Sequence, residues 1–276
     1  MLNIDYLFKD QAPAAIAPAQ RTLIMNIEGC KVFARCMMPS LDREDEQRPA
    51  VLMMHGFPGN EQNRDVAQAL RRIGFVAVIG GFRGCWGNEG YYNLTHLPDD
   101  CRANLAFLRA NAKELHIDPE RIYLAGHSMG GFTTMRLLSE KIDVKGAVLI
   151  APCDITEIAK NKDTEFLPLI DNASPMLRLE KPGKELFPEE VEAHKAQWNF
   201  PELIKTMDPN VPKLFLGGTA DTTCSPKQHI MPALDTFEKL GQKPDVKIFD
   251  TDHCFQNVRI AYTRAIAEWL VKQESK

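Results

Sequence analysis

The order of segments along this chain predicts an α/β fold, with a mostly parallel sheet flanked by helices and a helical insertion that forms a cap. Three observations carry this prediction. Short continuous apolar runs, typical of strands buried on both faces, alternate with segments of helical periodicity. Strands that alternate with helices in this way form parallel sheets. The alternation stops near residue 152 and resumes near residue 211, with charged and proline-rich sequence between.

The first half of the chain supplies most of the predicted sheet. Apolar runs predict strands at residues 31–38, 50–55, 75–80, 122–125 and 146–151. Apolar positions three and four apart predict helices at residues 65–73, 98–116 and 129–140. Two neighbouring aspartates at the start of the second helix favour a helix N-terminus there.

The second half begins with the predicted insertion. Short helices are predicted at residues 174–179, 189–198 and 201–207, with no buried strand between them. A strand at 213–217, a helix at 226–240, a strand at 246–249 and a helix at 259–272 follow. Because strand–helix units lie on both sides, we interpret residues 152–210 as a helical cap and residues 1–151 and 211–276 as one core domain.

Composition limits the classes of function. The chain has 276 residues, 44% of them hydrophobic and 25% charged, which is typical of a globular protein. The formal net charge is −4 and no basic run stands out, so no nucleic-acid partner is expected. The N-terminus lacks the pattern of a secretory signal and no apolar stretch reaches about 18 residues, so we expect a cytoplasmic protein without a membrane partner. A homo-oligomer is compatible with this composition.

The seven cysteines do not form a metal or disulfide pattern. Their number is odd and no C-x-x-C pair occurs, so neither structural zinc nor a disulfide framework is expected. Free thiols in a reducing compartment are the simpler interpretation. No metal and no cofactor is expected.

The stretch GHSMG at residues 126–130 fits the pattern G-x-S-x-G and lies between a predicted strand and a predicted helix. A serine that attacks a carbonyl must sit on a sharp strand-to-helix turn, and small residues two before and two after allow that turn. The helix that follows directs its dipole at the developing negative charge. A connection without chemistry is the alternative, but the flanking segments favour Ser128 as a nucleophile.

A serine nucleophile needs a base and an acid, and both follow later predicted strands. Asp221 ends the turn after residues 213–217, and His253 follows the strand at 246–249. The order serine, acid, histidine is that of a nucleophile elbow. Asp154 stays open as an alternative acid because it follows the preceding strand. Asp250 and Asp252 also compete for this role, but Asp252 adjoins His253 and is poorly placed to reach the far ring nitrogen.

Two backbone N–H groups are candidates for an oxyanion hole. One belongs to Met129, which follows the nucleophile, and the other to Phe57 in the HGFPG loop at residues 55–59. Pro58 has no N–H and is excluded. A tight turn without a role is the alternative interpretation of this loop.

These motifs resemble the α/β-hydrolase superfamily. The segments HGFPG, GHSMGG, GGTAD and TDHCF carry the resemblance, with FRGCWGNEG at residues 82–90 similar to a segment of esterase and prolyl-oligopeptidase-like members. The chain departs from that last segment at Gly81, where an aspartate often stands, and at the extra Trp86. The resemblance implies the α/β-hydrolase fold and an activity like that of the compact carboxylesterases and feruloyl-esterase-like enzymes.

The expected reaction is hydrolysis of a small-molecule ester, with amide or peptide hydrolysis and thioester chemistry as alternatives that use the same three residues. A non-catalytic binding protein on the same fold is a further alternative. An aminopeptidase-like enzyme would need a carboxylate for the substrate amine, for which the insertion offers Glu165, Glu180, Glu185, Glu189 and Glu190. Trp86, Phe166 and Trp198 are the candidate pocket residues, with Leu167, Phe187 and Phe200 as further ones. The alternative is that these side chains only pack the insertion on the sheet.

Overall fold

The computed structural model describes residues 2–276 (for Thr164 the backbone alone), and its centre is a sheet of eight strands. The strands are β1 Ala19–Ile27, β2 Cys30–Met38, β3 Arg48–Met54, β4 Val76–Ile79, β5 Ile117–His127, β6 Gly146–Ile150, β7 Lys213–Gly218 and β8 Asp245–Phe249. Their order across the sheet is β1-β2-β4-β3-β5-β6-β7-β8. β2 runs antiparallel to both of its neighbours, and the other neighbours are parallel. The mostly parallel sheet predicted from the sequence is confirmed.

Burial explains which strands the sequence reveals. Every residue of β3, β4, β6 and β7 is buried, as continuous apolar runs predict. β1, which we did not predict, buries only alternate residues in its second half. It forms one edge of the sheet, and its exposed positions are polar except for Ile24.

Helices cover both faces of the sheet. Outside the stretch between β6 and β7, they are α1 Arg64–Ile73, α2 Leu97–Ala110, α3 Met129–Ser139, α8 Met231–Lys239 and α9 Arg259–Glu274. α1 and α9 belong to one hydrophobic core, and α2, α3 and α8 to a second. The predicted helix at 98–116 ends at residue 110, and the one predicted at 226–240 begins with the π-helical turn Pro226–Ile230. No helix within residues 2–276 has the length and apolar character that a membrane crossing requires.

The chain between β6 and β7, residues 151–212, is helical and is called here the β6–β7 segment. Its α-helices are α4 Ile155–Lys160, α5 Leu167–Ala173, α6 Gly183–Trp198 and α7 Phe200–Ile204. α4 and α5 are absent from the sequence predictions, and α6 begins six residues earlier than the helix predicted at 189–198.

The helix predicted at residues 174–179 is wrong. Only the single 3-10 turn Ser174–Met176 forms, and Leu177 then takes an extended backbone. Leu177 pairs with Cys85 in an isolated antiparallel bridge. This bridge joins the β6–β7 segment to the loop after β4. Because the bridge requires an extended backbone at Leu177, the helix cannot continue past Met176.

Candidate active site

Ser128 occupies the turn between β5 and α3, and its backbone has the positive φ of +55° with ψ of −115°. Its N–H donates to the carbonyl of Ile150 at 2.9 Å. A Cβ on Gly126 would lie 2.1 Å from the carbonyl oxygen of Gly130, and a Cβ on Gly130 would lie 2.2 Å from that of Met54. Both contacts are with backbone, so each of these two positions requires glycine. The close approach brings α3 onto β3 and directs its N-terminus at Ser128.

Asp221, which follows β7, and His253, which follows β8, meet beyond the C-terminal ends of these two neighbouring strands. Asp221 Oδ2 accepts a hydrogen bond from His253 Nδ1 at 2.7 Å, and its Oδ1 accepts from the N–H groups of Thr223 and Cys224 at 2.8 Å each. Asp221 is only 3% exposed. Burial alone would raise the pKa of Asp221, but the hydrogen bonds and the neighbouring imidazole hold it below its ordinary value. The carboxylate is therefore ionised and oriented toward the ring nitrogen that faces it.

Backbone hydrogen bonds join the two loops that carry this pair. Thr219 N–H donates to Phe249 O at 2.8 Å, and Ala220 N–H donates to Thr251 O at 2.9 Å. A Cβ on Gly218 would lie 2.4 Å from Thr251 O, so the loops also approach closely. The hydrogen-bond ladder between β7 and β8 thus continues past the strand ends, which fixes the distance between Asp221 and His253.

Within the described residues the Ser128 hydroxyl makes no hydrogen bond to His253, whose Nδ1 bonds to Asp221. Two buried cysteines are joined to this site through their backbones: the Cys153 N–H donates to the Ser128 carbonyl at 3.1 Å, and the Cys224 N–H donates to Asp221 Oδ1 at 2.8 Å. Burial, reinforced by Cys153, raises the pKa of Cys224 well above its ordinary value. Since the thiolate is the nucleophilic form of cysteine, Cys224 is unreactive at neutral pH. Within residues 2–276 no group of three His, Cys, Asp or Glu side chains could hold a metal ion.

The loop after β3 lies directly against Ser128. A Cβ on Gly56 would lie 2.9 Å from Ser128 Cβ, and His55 Nδ1 donates to Gly56 O at 2.8 Å. The N–H groups of Phe57 and Met129 donate to no acceptor within residues 2–276. The Phe57 ring packs against Phe187 of α6, with ring centroids 5.4 Å apart. The N–H groups of Phe57 and Met129 are therefore available to a substrate oxygen near Ser128. Phe57 also joins its loop to the β6–β7 segment through Phe187.

His127 packs against His253, the candidate base. Its ring centroid lies 4.9 Å from that of His253, and its Nε2 donates to the His253 carbonyl at 3.0 Å. Burial, followed by the charge of His253, lowers the pKa of His127 to about 3. A neutral imidazole therefore packs against the His253 ring and binds its backbone.

Asp154, the alternative acid, is engaged elsewhere. Its carboxylate accepts from the N–H groups of Thr156 at 3.0 Å and Phe200 at 2.8 Å, so it caps α4 and holds the start of α7. Its own N–H donates to His229 Nδ1 at 3.1 Å. His253 hydrogen bonds to Asp221 and not to Asp154. His229 was not singled out by the sequence because it lies inside a helical segment, without a motif around it.

The three candidate pocket residues lie in different places. Phe166 is buried in the core on the α2–α3 face, and Trp198 packs edge-on against Phe132 with the Arg136 guanidinium 4.7 Å from its ring. Phe166 and Trp198 thus pack the segment against the core, the alternative to a pocket role. Trp86 is 56% exposed and lines a cavity together with His55.

Several glutamates of the β6–β7 segment have partners. Glu190 accepts from the N–H groups of Leu94 and Thr95 at 3.0 Å each. Glu189 forms an ion pair with Lys181, and Glu165 accepts from the Asn161 amide. These carboxylates anchor local structure and the loop before α2.

Comparison with known proteins places these features in context. Residues 51–275 match a sequence model described as the alpha/beta hydrolase family. No curated protein matches the chain.

Solved structures with a similar fold include esterases and peptidases. Est1E from Butyrivibrio proteoclasticus is 19% identical with a TM-score of 0.66, over 92% of this chain and 99% of that one. Esterase 2 of Thermogutta terrifontis, solved phosphorylated by paraoxon, is 18% identical with a TM-score of 0.65, over 93% and 95%. Acylaminoacyl peptidase of Pyrococcus horikoshii is 18% identical with a TM-score of 0.69 over 93% of this chain, but the chain spans only 42% of that protein's length. At these identities the likeness concerns the fold.

Proposed function

The chain belongs to the alpha/beta hydrolase family, and on that premise we propose that it is a serine hydrolase that cleaves carboxylic esters through an acyl-enzyme on Ser128. The observation that carries the proposal is the 2.7 Å hydrogen bond between Asp221 and His253 at the sheet edge where the turn presents Ser128. A strained serine, an oriented imidazole and unused N–H donors are the parts that acyl transfer needs.

In the proposed reaction His253 Nε2 takes the proton of the Ser128 hydroxyl while the oxygen attacks the carbonyl carbon of the ester. The carbonyl π bond breaks and its oxygen becomes an oxyanion, which the Phe57 and Met129 N–H groups bind. The intermediate collapses, the bond to the alcohol oxygen breaks, and His253 gives that oxygen its proton. Water repeats the sequence on the acyl-enzyme, which releases the acid and restores Ser128.

Asp221 acts on the base rather than on the substrate. Its depressed pKa keeps it ionised, so it holds the proton on His253 Nδ1 and stabilises the imidazolium that forms during attack. The Nε2 lone pair then faces away from the acid. The N-terminus of α3 adds its dipole to the stabilisation of the oxyanion.

We further propose that residues 152–210 act as a helical cap that selects a small-molecule substrate. The contact between Phe187 of α6 and Phe57 supports this role, since it joins the segment to a proposed oxyanion donor. Asp154 gives the segment a second anchor near the site through its bonds to Phe200 and His229.

Amide or peptide hydrolysis is the second candidate, because acylaminoacyl peptidase is among the similar structures. Glu165, Glu189 and Glu190 serve internal contacts and so are poorly available to a substrate amine. Amide hydrolysis of an amino-terminal substrate would therefore depend on the exposed Glu180 or Glu185. Thioesters would react through the same three residues. Parallel assays with p-nitrophenyl butyrate, butyryl-coenzyme A and an aminoacyl p-nitroanilide would rank the three reactions.

The central test combines three variants. Ser128→Ala should remove hydrolysis of p-nitrophenyl butyrate and labelling by a fluorophosphonate, while circular dichroism keeps the wild-type spectrum. Asp221→Asn should lower kcat by about 10³-fold to 10⁴-fold, because the base loses its orienting carboxylate. Asp154→Asn tests the alternative acid and should retain more of kcat than Asp221→Asn; because Asp154 also caps α4 and holds α7, its circular dichroism spectrum must match the wild type. Full activity in Ser128→Ala would reject the mechanism, and a larger loss in Asp154→Asn than in Asp221→Asn would reassign the acid.

A further inference from the structure

A cavity of about 240 Å³ is lined by His55, at the start of the loop that carries Phe57, and by Trp86, in the loop after β4. It opens between the β1–β2 hairpin, the ends of β3 and β4 and the residues before α1. Its principal lining side chains are Phe33, Arg35, His55, Gln62, Arg64 and Trp86. The proposed acyl-transfer reaction uses none of these side chains.

The cavity holds positive charge without a matching carboxylate. Within the described residues the Arg35 guanidinium makes no hydrogen bond and no ion pair, although the residue is half-buried. Arg64 donates only to the amide oxygen of Gln62, at 3.1 Å from Nε and 2.8 Å from a terminal nitrogen. The neighbouring Asp65 is committed to Arg259. Two guanidinium groups that lack a counter-ion favour an anion, and a carboxylate or phosphate can pair with them bidentately.

The cavity also has flat apolar walls. Trp86 is 56% exposed and Phe33 is 41% exposed, so both present aromatic surface to solvent. Trp86 has a φ of +52°, in the left-handed region that a bulky residue rarely adopts. Its indole nitrogen lies against Gly59, where a Cβ would lie 2.6 Å from Trp86 Nε1. Such walls suit a flat apolar body attached to the anion.

We propose that this cavity binds a small carboxylate that carries a flat aromatic or apolar group, with the carboxylate on Arg35 and the apolar group between Phe33 and Trp86. An occupant would contact the loop that carries the proposed oxyanion donor Phe57, since His55 of that loop lines the cavity and lies against Gly59, where a Cβ would lie 2.7 Å from His55 Nδ1. The carboxylate can come from a free acid or from a remote part of the ester substrate.

Binding is tested by isothermal titration calorimetry of 2-naphthoate into the Ser128→Ala protein, so that no turnover takes place. We expect Arg35→Gln to weaken the affinity by about tenfold or more, since a charge-assisted pair is lost. Arg43→Gln removes an exposed arginine whose partner is Asp45 and should stay within about twofold, as the control for net charge. Trp86→Ala tests the opposite wall and should also weaken binding, and thermal melting checks that each variant folds.

Three results would overturn the proposal. The first is that 2-naphthoate does not bind at millimolar concentration. The second is that Arg35→Gln and Arg43→Gln bind 2-naphthoate equally well. The third is that the uncharged 2-naphthamide binds as tightly as 2-naphthoate. None of these readouts depends on hydrolysis, so they stand apart from the proposed reaction.

Kinetics of the active protein distinguish the two sources of the carboxylate. A free acid would change kcat for p-nitrophenyl butyrate when 2-naphthoate is added. A remote carboxylate of the substrate would instead raise kcat/KM for a p-nitrophenyl ester that carries a distal carboxylate, and Arg35→Gln would abolish that preference.

Discussion

Replacing His229 with asparagine should reduce the loss of stability that acid causes. His229 is 2% exposed, and its Nδ1 accepts the Asp154 N–H at 3.1 Å, so the folded protein holds the ring neutral. Burial, opposed in part by Asp221 and Glu157, lowers the pKa of His229 from 6.5 to about 4. Asparagine places an oxygen near the position of Nδ1 and can accept the same hydrogen bond without titrating.

The sign and size of the effect follow from proton linkage. As the pH falls below 6.5, the unfolded chain takes up a proton that the folded protein does not bind until the pH approaches 4. The free energy of unfolding therefore falls across that window, and above pH 6.5 the group has no effect. At about 1.36 kcal/mol per pKa unit, His229 accounts for about 2 kcal/mol lost between pH 7 and pH 5. His127 acts in the same direction and remains in the variant.

Urea unfolding followed by far-ultraviolet circular dichroism at pH 7.5 and pH 5 measures this effect. The difference in unfolding free energy between the two pH values should be smaller in His229→Asn than in the wild type by about 2 kcal/mol. The same variant at pH 7.5 serves as the control for changes in packing. An equal difference in both proteins would refute the assignment of a neutral buried imidazole.

Two further substitutions test the local geometry. Gly130→Ala would place a Cβ 2.2 Å from Met54 O, so the β3 and α3 backbones must separate. We expect a lowered melting temperature and loss of esterase activity. Wild-type values of both would contradict the close approach. Glu190→Gln should lower the free energy of unfolding by about 1–3 kcal/mol, since the N–H groups of Leu94 and Thr95 lose a charged acceptor, and an unchanged urea midpoint would show that this anchor contributes nothing.

Buried parallel strands were predictable because burial on both faces leaves a continuous apolar run, as in β3. β1 was not predictable in this way, because only its Leu23, Met25 and Ile27 are buried and no continuous apolar run results. The β6–β7 segment was predicted least well. Its helix boundaries depend on tertiary contacts such as the bridge between Leu177 and Cys85, which no local pattern contains.

The contact between Asp221 and His253 was also predictable, because chain order and strand ends constrain where polar turns can meet in a parallel sheet. Their catalytic roles stay a prediction. His229 and Arg35 were not identified, since neither lies in a motif and the significance of each arises from neighbours distant in sequence. Partners of this kind are visible only once the chain is folded.

The pairing of Val148 with Leu214 and of Ile150 with Leu216 shows that the chain leaves the sheet after β6 and re-enters beside the strand it left. Changes of length or sequence in the β6–β7 segment need not alter the register of the strands that carry Ser128 and the Asp221–His253 pair. Relatives could therefore diverge there, or be recombined in the laboratory, without redesign of the reacting groups. If the β6–β7 segment were exchanged from residue 155 onward, Asp154 would be retained, and with it the hydrogen bond from its N–H to His229.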